Sequence, residues 1–515
     1  MAEHFINALP TERDVLVIGA GTMGRGIAQV AAAAGHRVIW RDSNAVALDE
    51  AIGKIRSDLE KRIARGKATR DELEAICARL IASTEQTPLD RVGLVIEVIV
   101  ERLDVKVAVL GQLAAQLPAD AILATNTSSL SVTAIGGQLP CAERVVGMHF
   151  FNPATVLPLV EVVRGHATAD GVVATVMATA KAWGKTPVLC RSTPGFIVNR
   201  VARPYYGEAL RLLLEQAGSP ATVDAILRES GGFKMGPCEL MDLIGHDVNY
   251  AVTRSVFDAF NGDPRYQPSL VQRDLVDAGW LGRKSGRGFF SYAPDSAAPG
   301  PDESSVDASR LPRSVVIEGD LGPAAGLATL LHAHDEVTVS SKPGPGLIRI
   351  DGLALALSDG RTATQRSRDE GEPVVSLDLA LDWRQCTRVA LSLPLQLDSR
   401  KADGVVALFA LLGKKVSLLA DVPGMAVTRT VAMLANEAAE AVYHGIANAD
   451  DVDAAMKLGV NYPLGPMAWG SRVGWLWVLQ VLCHLQQAYR EDRYRPSVWV
   501  QRTVQAIHSG EEALA

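Results

Sequence analysis

The sequence predicts an α/β domain built on a parallel sheet, an all-α domain after it, and then a worn second copy of both. Three observations carry this. The stretch from Val15 to Asp42 reads strand, glycine loop, helix, strand. At Thr193 the strand–helix alternation gives way to long helical periodicities. Beyond a Pro- and Ser-rich stretch, earlier motifs recur at a constant offset of 229 residues. At 515 residues the chain is also too long for a single core.

The first stretch is VLVIGAGTMGRGIAQVAAAAGHRVIWRD. An apolar run meets Gly19-Ala-Gly21-Thr22-Met23-Gly24, an Ala-rich amphipathic segment follows, and a second apolar run ends at Asp42. Gly19 lets the chain turn out of the strand, Gly21 admits a pyrophosphate to the backbone, and Gly24 lets the helix lie close to the strand. The helix N-terminus offers unpaired amides and a positive dipole end to phosphate oxygens. Asp42 sits where a carboxylate accepts hydrogen bonds from the adenosine ribose, which favours NAD over a 2′-phosphorylated cofactor. A glycine turn in an ordinary βαβ unit is the plainer reading. Against it stands the order of strand, loop, helix, strand and acid, which is that of a Rossmann-type dinucleotide-binding domain.

Ala45 to Gly66 reads as a helix with Leu48, Ile52, Ile55, Leu59 and Ile63 on one face. Its other face carries Lys54, Arg56, Lys61, Arg62 and Arg65, either a solvated surface or a landing site for a phosphate-bearing substrate. Gly93–Val100 and Ala121–Thr125 are short buried-strand runs around a helical Leu103–Gln116, and Val145–Phe150 is a further strand. This predicts domains at 1–190 (α/β) and 191–292 (helical), with a linker at 293–312. The copy follows as 313–418 (degenerate α/β) and 419–515 (helical). Across the copies STPGFIVNR matches DVPGMAVTR: Arg200 matches Arg429, Glu208 matches Glu437, and Gly236-Pro237 matches Gly465-Pro466. Residues 314–339 keep the strand–helix–strand rhythm without the glycine spacing or the acid.

The net charge of −7 argues against a general nucleic-acid binder. Six cysteines without a CxxC pair point to reduced thiols, no metal site and a cytoplasmic setting. The first residues lack the apolar core of a signal peptide, and no apolar run is long enough to span a bilayer.

Chemistry-bearing clusters lie in the first half. Thr125-Asn-Thr-Ser128-Ser-Leu130 follows a strand, so its polar groups gather at the sheet's carboxyl edge or cap a helix. His149, in Met148-His149-Phe-Phe-Asn152-Pro153, is followed twelve residues on by Glu161 inside the apolar run LPLVEVV. An ionised carboxylate there needs a partner, and the two make a proton-transfer pair in which the carboxylate orients the imidazole. Asn199, in GFIVNR, is a further polar group among apolar neighbours.

These segments, with IEVIVERLDVK, TPGFIVNR, MGP and GRKSGRGFF in the same order, resemble the 3-hydroxyacyl-CoA dehydrogenases over residues 12 to 292. The two-module length and HFFNPATVLPLVEVV are similar to the phenylacetate-pathway members acting on 3-hydroxyadipyl-CoA. The resemblance implies that His149 takes the C3 hydroxyl proton as hydride leaves for NAD, with Glu161 as its partner. It implies that Ser128 and Asn199 bond the reacting oxygens. It also places Glu101, Lys106, Asn152 and Lys284 near the cofactor, with the loop residues Thr22 and Met23. The CoA phosphates then meet the basic helix, with Lys54, Lys61 and Arg65 as candidates.

In the second copy Thr428 replaces Asn199, and aligning CTRVALS with ERVVGMH sets Ser392 in the place of His149. One active site per chain is therefore expected, with the second half covering the first as a partner subunit does, in a chain that is itself a possible homodimer or larger homo-oligomer. A short-chain 3-hydroxybutyryl-CoA substrate is the nearest alternative. Two others are an NADP-dependent β-hydroxyacid dehydrogenase, which uses a lysine base, and a catalytically idle NAD-binding scaffold. The His149/Glu161 pair speaks against both.

Overall fold

The computed structural model describes residues 7–83, 87–297 and 299–508. Among these, no helix is long and apolar enough to cross a membrane. The chain forms two compact units, one of residues 1–200 with 445–460, the other of 201–444 with 461–515.

The first unit holds strands β1 (Asp14–Ile18), β2 (Val38–Arg41), β3 (Leu80–Ala82), β4 (Val92–Glu97), β5 (Ile122–Thr125), β6 (Val145–Phe150), β7 (Leu159–Arg164) and β8 (Thr186–Arg191). They form one sheet in the order β3-β2-β1-β4-β5-β6-β7-β8. β1 to β6 run parallel, as expected for continuous apolar runs covered on both faces. β7 and β8 depart from the expected parallel sheet, because β7 pairs antiparallel with β6 and β8 runs parallel to β7. The connection 151–158 between β6 and β7 is too short for the crossover a parallel return requires.

In the helix Ala45–Ala64, Leu48, Ala51, Ile55 and Leu59 are buried, and the partly buried Ile52 and Ile63 pack against the same core. The helix Ala449–Val460, expected in the last domain, lies in this first unit against β7 and β8.

The second unit carries β9 (Ser314–Glu318), β10 (Thr338–Lys342), β11 (Leu347–Ile350), β12 (Leu353–Leu357), β13 (Val374–Leu377), β14 (Arg388–Ser392) and β15 (Lys415–Leu419). Their order is β10-β9-β11-β12-β13-β14-β15. The sheet is a shortened and altered repeat of the first, with β11 antiparallel to both β9 and β12 where β4 is parallel to its neighbours. β10 passes into β11 through the four residues 343–346, where the first copy inserts two helices and β3. A Cβ on Gly319, the counterpart of Gly19, would stand 2.0 Å from the Gly344 carbonyl oxygen. The place of the dinucleotide loop is thus closed by the chain's own turn, and the basic helix has no counterpart. The expected linker is pinned rather than free: the Asp302 amide donates to Thr222 Oγ1 (2.9 Å) and the Ser304 amide to the Val416 carbonyl (2.8 Å).

Strand order corrects one assignment. β14 pairs antiparallel with β13 and parallel with β15, as β7 does with β6 and β8. Ser392 therefore lies on the counterpart of the Glu161 strand and does not replace His149. The Asp378 amide donates to the Ala390 carbonyl (2.9 Å), which sets Asp378 at the register of His149 and Ala390 at that of Glu161. The Asp378 carboxylate accepts from the amides of Ala426, Val427 and Thr428 at 2.8–2.9 Å. Burial pushes its carboxyl above the usual range, against the pull of those amides. It anchors a helix start.

Candidate active site

The glycine loop meets its requirements through close contacts. Gly19 has φ +112°, and a Cβ on it would lie 2.4 Å from the Val98 carbonyl oxygen. A Cβ on Gly24 would lie 2.0 Å from the Gly19 carbonyl oxygen, so helix and strand can meet only through glycine. Gly21 is different: a Cβ there meets nothing within 4 Å. It is the N-cap of the helix Thr22–Ala33 and has no capping side chain, which leaves first-turn amides for an anion. Thr22 is exposed and Met23 packs partly against the core. Asp42, at the end of β2, accepts from the amides of Ala20 (2.6 Å) and Asn44 (2.8 Å), so it also holds the loop. Gly19, Gly21 and Asp42 open onto a cavity of about 1130 Å³, whose apolar wall includes Val98, Val105 and Val109. Glycines, helix end, acid and apolar wall together fit a dinucleotide.

The second cluster forms at the carboxyl ends of β4 and β5. Glu97 is fully buried; it accepts from Lys106 Nζ (2.7 Å), from the Ile99 amide (2.8 Å) and from Thr125 Oγ1 (2.7 Å). Lys106 is itself buried and lies 3.2 Å from Glu101. Glu101 Oε1 accepts from Thr127 Oγ1, from the Ser128 and Ser129 amides and from Ser129 Oγ, at 2.6–3.1 Å. Burial works to raise the Glu101 carboxyl, but these hydrogen bonds and the Lys106 charge hold it below the ordinary range. Lys106 and Glu101 thereby fix the loop that presents Ser128.

The pair expected to transfer a proton is formed by register. His149 and Glu161 stand directly opposite on β6 and β7, and His149 Nδ1 lies 2.7 Å from Glu161 Oε2. The other carboxylate oxygen accepts from the Ile197 (3.0 Å) and Val198 (2.9 Å) amides at the start of the next helix. A fully buried carboxylate is thus satisfied on both oxygens. His149 is 6% exposed, its Nε2 makes no hydrogen bond among the described residues, and the Phe151 ring lies 4.6 Å from its own. Asn199 Nδ2 reaches the Ser128 carbonyl (3.4 Å), so these two also come together. Asn152 is exposed beyond the end of β6.

Lys54, Lys61 and Arg65 lie on the exposed side of their helix, Lys61 against Asp58 (3.2 Å). Lys284 is exposed in the second unit and bonds Asp247 at 2.5 and 2.7 Å.

Several positioning groups escaped the sequence reading. Glu97 was legible, as a lone acid inside an apolar strand. Asn126, whose side-chain oxygen accepts from the Phe150 amide (2.8 Å), ties the serine loop to the histidine strand. Lys185 holds the Ala154 and Leu157 carbonyls of the β6–β7 connection, and burial lowers its pKa. Asn126 lies inside the Thr125–Leu130 motif without having been given a role, whereas no motif marks Lys185.

Residues 14–193 match the family described as 3-hydroxyacyl-CoA dehydrogenase, NAD binding domain, and 195–292 and 424–514 its C-terminal domain. Residues 355–423 match a 3-hydroxybutyryl-CoA dehydrogenase reduced Rossmann-fold domain. The 3-hydroxyadipyl-CoA dehydrogenase of Escherichia coli K12 is 45% identical over 97% of this chain and 98% of its own. A probable 3-hydroxybutyryl-CoA dehydrogenase of Bacillus subtilis is 38% identical over 54% of this chain and 97% of its own. A crystal structure of a 3-hydroxybutyryl-CoA dehydrogenase from Escherichia coli K12 superposes with a TM-score of 0.89 at 43% identity, covering 98% of this chain and 100% of that one. The chain, an NAD-binding oxidoreductase, belongs to the 3-hydroxyacyl-CoA dehydrogenase family.

Proposed function

We propose that this protein oxidises (3S)-3-hydroxyadipyl-CoA to the 3-oxoacyl-CoA with NAD, in the cytoplasm, in the degradation of phenylacetate, at one active site per chain. The observation that carries the reading is the buried His149–Glu161 pair, with Nδ1 engaged and Nε2 left for a substrate proton. Nε2 takes the proton of the C3 hydroxyl, and Glu161 stabilises the imidazolium that results. Bound at the glycine loop and Asp42, NAD supplies the acceptor for the C3 hydride. Ser128 and Asn199 hydrogen-bond the reacting oxygens and hold C3 in a reactive position. Glu101, Asn152 and Lys284 contact the cofactor, Lys106 acts through Glu101, and Lys54, Lys61 and Arg65 meet the CoA phosphates.

His149→Gln is expected to lower kcat by about two orders of magnitude or more, the usual scale for a lost general base. Near-normal turnover would remove the assignment. For the acyl chain, support comes from the nearly full-length Escherichia coli relative named for 3-hydroxyadipyl-CoA. The superposed crystal structure named for 3-hydroxybutyryl-CoA favours a second reading, a short-chain substrate. Comparing kcat/KM for the two thioesters decides: the adipyl substrate is expected to lead, and a clear preference for butyryl would overturn the narrower reading alone.

A further inference from the structure

The helix Ala449–Val460 belongs by sequence to the catalytically empty half, yet it lies on β7 and β8 of the first sheet. Before its first turn the Ile446 carbonyl accepts from the Arg191 amide (2.9 Å), and Asp451 Oδ2 accepts from the Leu189 amide (3.3 Å). Its far end brings Gly459 against the groups that surround the proton-transfer pair. A Cβ on Gly459 would stand 2.6 Å from Leu159 Cδ2, 3.2 Å from Val198 Cγ2 and 3.6 Å from Phe151 Cε1. Each neighbour bears on the chemistry. Leu159 opens the strand that carries Glu161 and shares its face. The Val198 amide is one of the two that hold Glu161 Oε1. The Phe151 ring rests on the His149 imidazole.

A glycine inside a helix costs about 0.5–1 kcal/mol relative to alanine. Gly459 is not one of the positive-φ glycines, so the backbone does not demand it. The close approach to Leu159, Val198 and Phe151 favours it, since any side chain there must displace them. We propose that Gly459 is a positioning residue for His149 and Glu161, its missing side chain letting a helix of the second half brace Phe151, Leu159 and Val198. This rests on the catalytic reading of that pair given above.

The test uses the full chain. Gly459→Val is expected to lower kcat about tenfold or more, since small misplacements of reacting groups are costly. KM for the acyl-CoA and Kd for NAD should change less than about threefold, because no residue of this helix is among those proposed to hold either ligand. The imidazole NMR signals of His149 should shift. Adding Leu159→Ala removes the nearest clash and should restore at least about threefold of the lost kcat. Gly459→Ala, facing mainly a movable leucine methyl, should fall between, and it carries the same readouts where the valine variant does not fold. A folded variant with kcat within about twofold of the parent would overturn the brace, as would a loss of kcat that neither moves the imidazole signals nor responds to Leu159→Ala. Loss of activity in His149→Gln beside unchanged Gly459→Val would remove the brace alone, whereas an active His149→Gln would remove the reading beneath it.

Discussion

At the scale of single residues, each buried carboxylate of the site holds two things at once. Glu161 divides its oxygens between an imidazole and two helix amides, and Glu97 divides its own between Lys106, a backbone amide and Thr125. The more exposed Glu101 collects the serine loop. Because its folded pKa lies below the ordinary value, it favours the folded state wherever it is ionised in both states. That contribution is present above the unfolded pKa of about 4.3. It fades as pH falls from there through the lower folded value. Urea midpoints of the parent and Glu101→Gln should therefore differ most near neutral pH and converge on acidification below about pH 4. A gap that stays constant or widens in acid would show that the charge contributes nothing. The sequence made Glu161 conspicuous because an acid among apolar residues needs a reason. It paired Glu161 with His149, twelve residues away, but could not supply the Ile197 and Val198 amides or the bond from Thr125 to Glu97, which come from elements farther along the chain.

Among elements, the glycine loop separates packing from binding. Gly24→Ala drives a Cβ against the Gly19 carbonyl, so a loss of stability of about 1–3 kcal/mol is expected along with weaker NAD binding. Gly21→Ala finds open space. It should melt within a degree or two of the parent, by the ordinary scale of unstrained surface changes, yet weaken NAD binding about tenfold or more, since its Cβ enters the path of the pyrophosphate. Thermal melts and NAD titrations of both variants check this; unchanged NAD affinity in Gly21→Ala would move the cofactor away from the loop. The β6–β7 hairpin makes the complementary point. Twelve residues separate His149 from Glu161, and only antiparallel register sets them opposite each other. A parallel β7 would have parted them.

Over the whole molecule the duplication acts reciprocally. In the second unit Tyr494 Oη donates to Glu208 (2.9 Å) and Tyr266 Oη to Glu437 (2.6 Å), joining the two helical modules by matching bonds. The Ala420 amide donates to the Ala217 carbonyl (2.9 Å), and the Arg191 amide to the Ile446 carbonyl (2.9 Å), each pair being the image of the other at the same 229-residue offset. Helix Pro220–Glu229 lies on β14 as helix Ala449–Val460 lies on β7 and β8. Glu437→Gln leaves the buried Arg265 with one carboxylate, Glu440 at 3.6 Å, beside the Arg495 carbonyl at 3.2 Å, and a loss of about 3 kcal/mol in urea unfolding is expected. A loss below about 1 kcal/mol would mean that the pair is no more than a surface contact. A chain ending at Tyr292 uncovers the faces of Glu208 and Tyr266 and is expected to aggregate or to self-associate. Its remaining soluble, active and unchanged in oligomeric state, by light scattering and assay, would deny the second half its covering role.

What the sequence determined by itself was local or repetitive. The glycine spacing, the strand–helix rhythm, the lone buried acids and the constant offset are all properties of short windows or of self-similarity, and each has a direct steric or electrostatic cause. The tertiary structure alone decided what depends on strand direction and register. It reversed β7 and β8, set Asp378 rather than Ser392 at the place of His149, closed the second glycine loop with the turn at 343–346, and carried Gly459 across to the first sheet. Pairing direction and long-range docking depend on which distant surfaces bury one another. For the docking of Gly459 on Leu159 and Val198, no short window of sequence contains both partners.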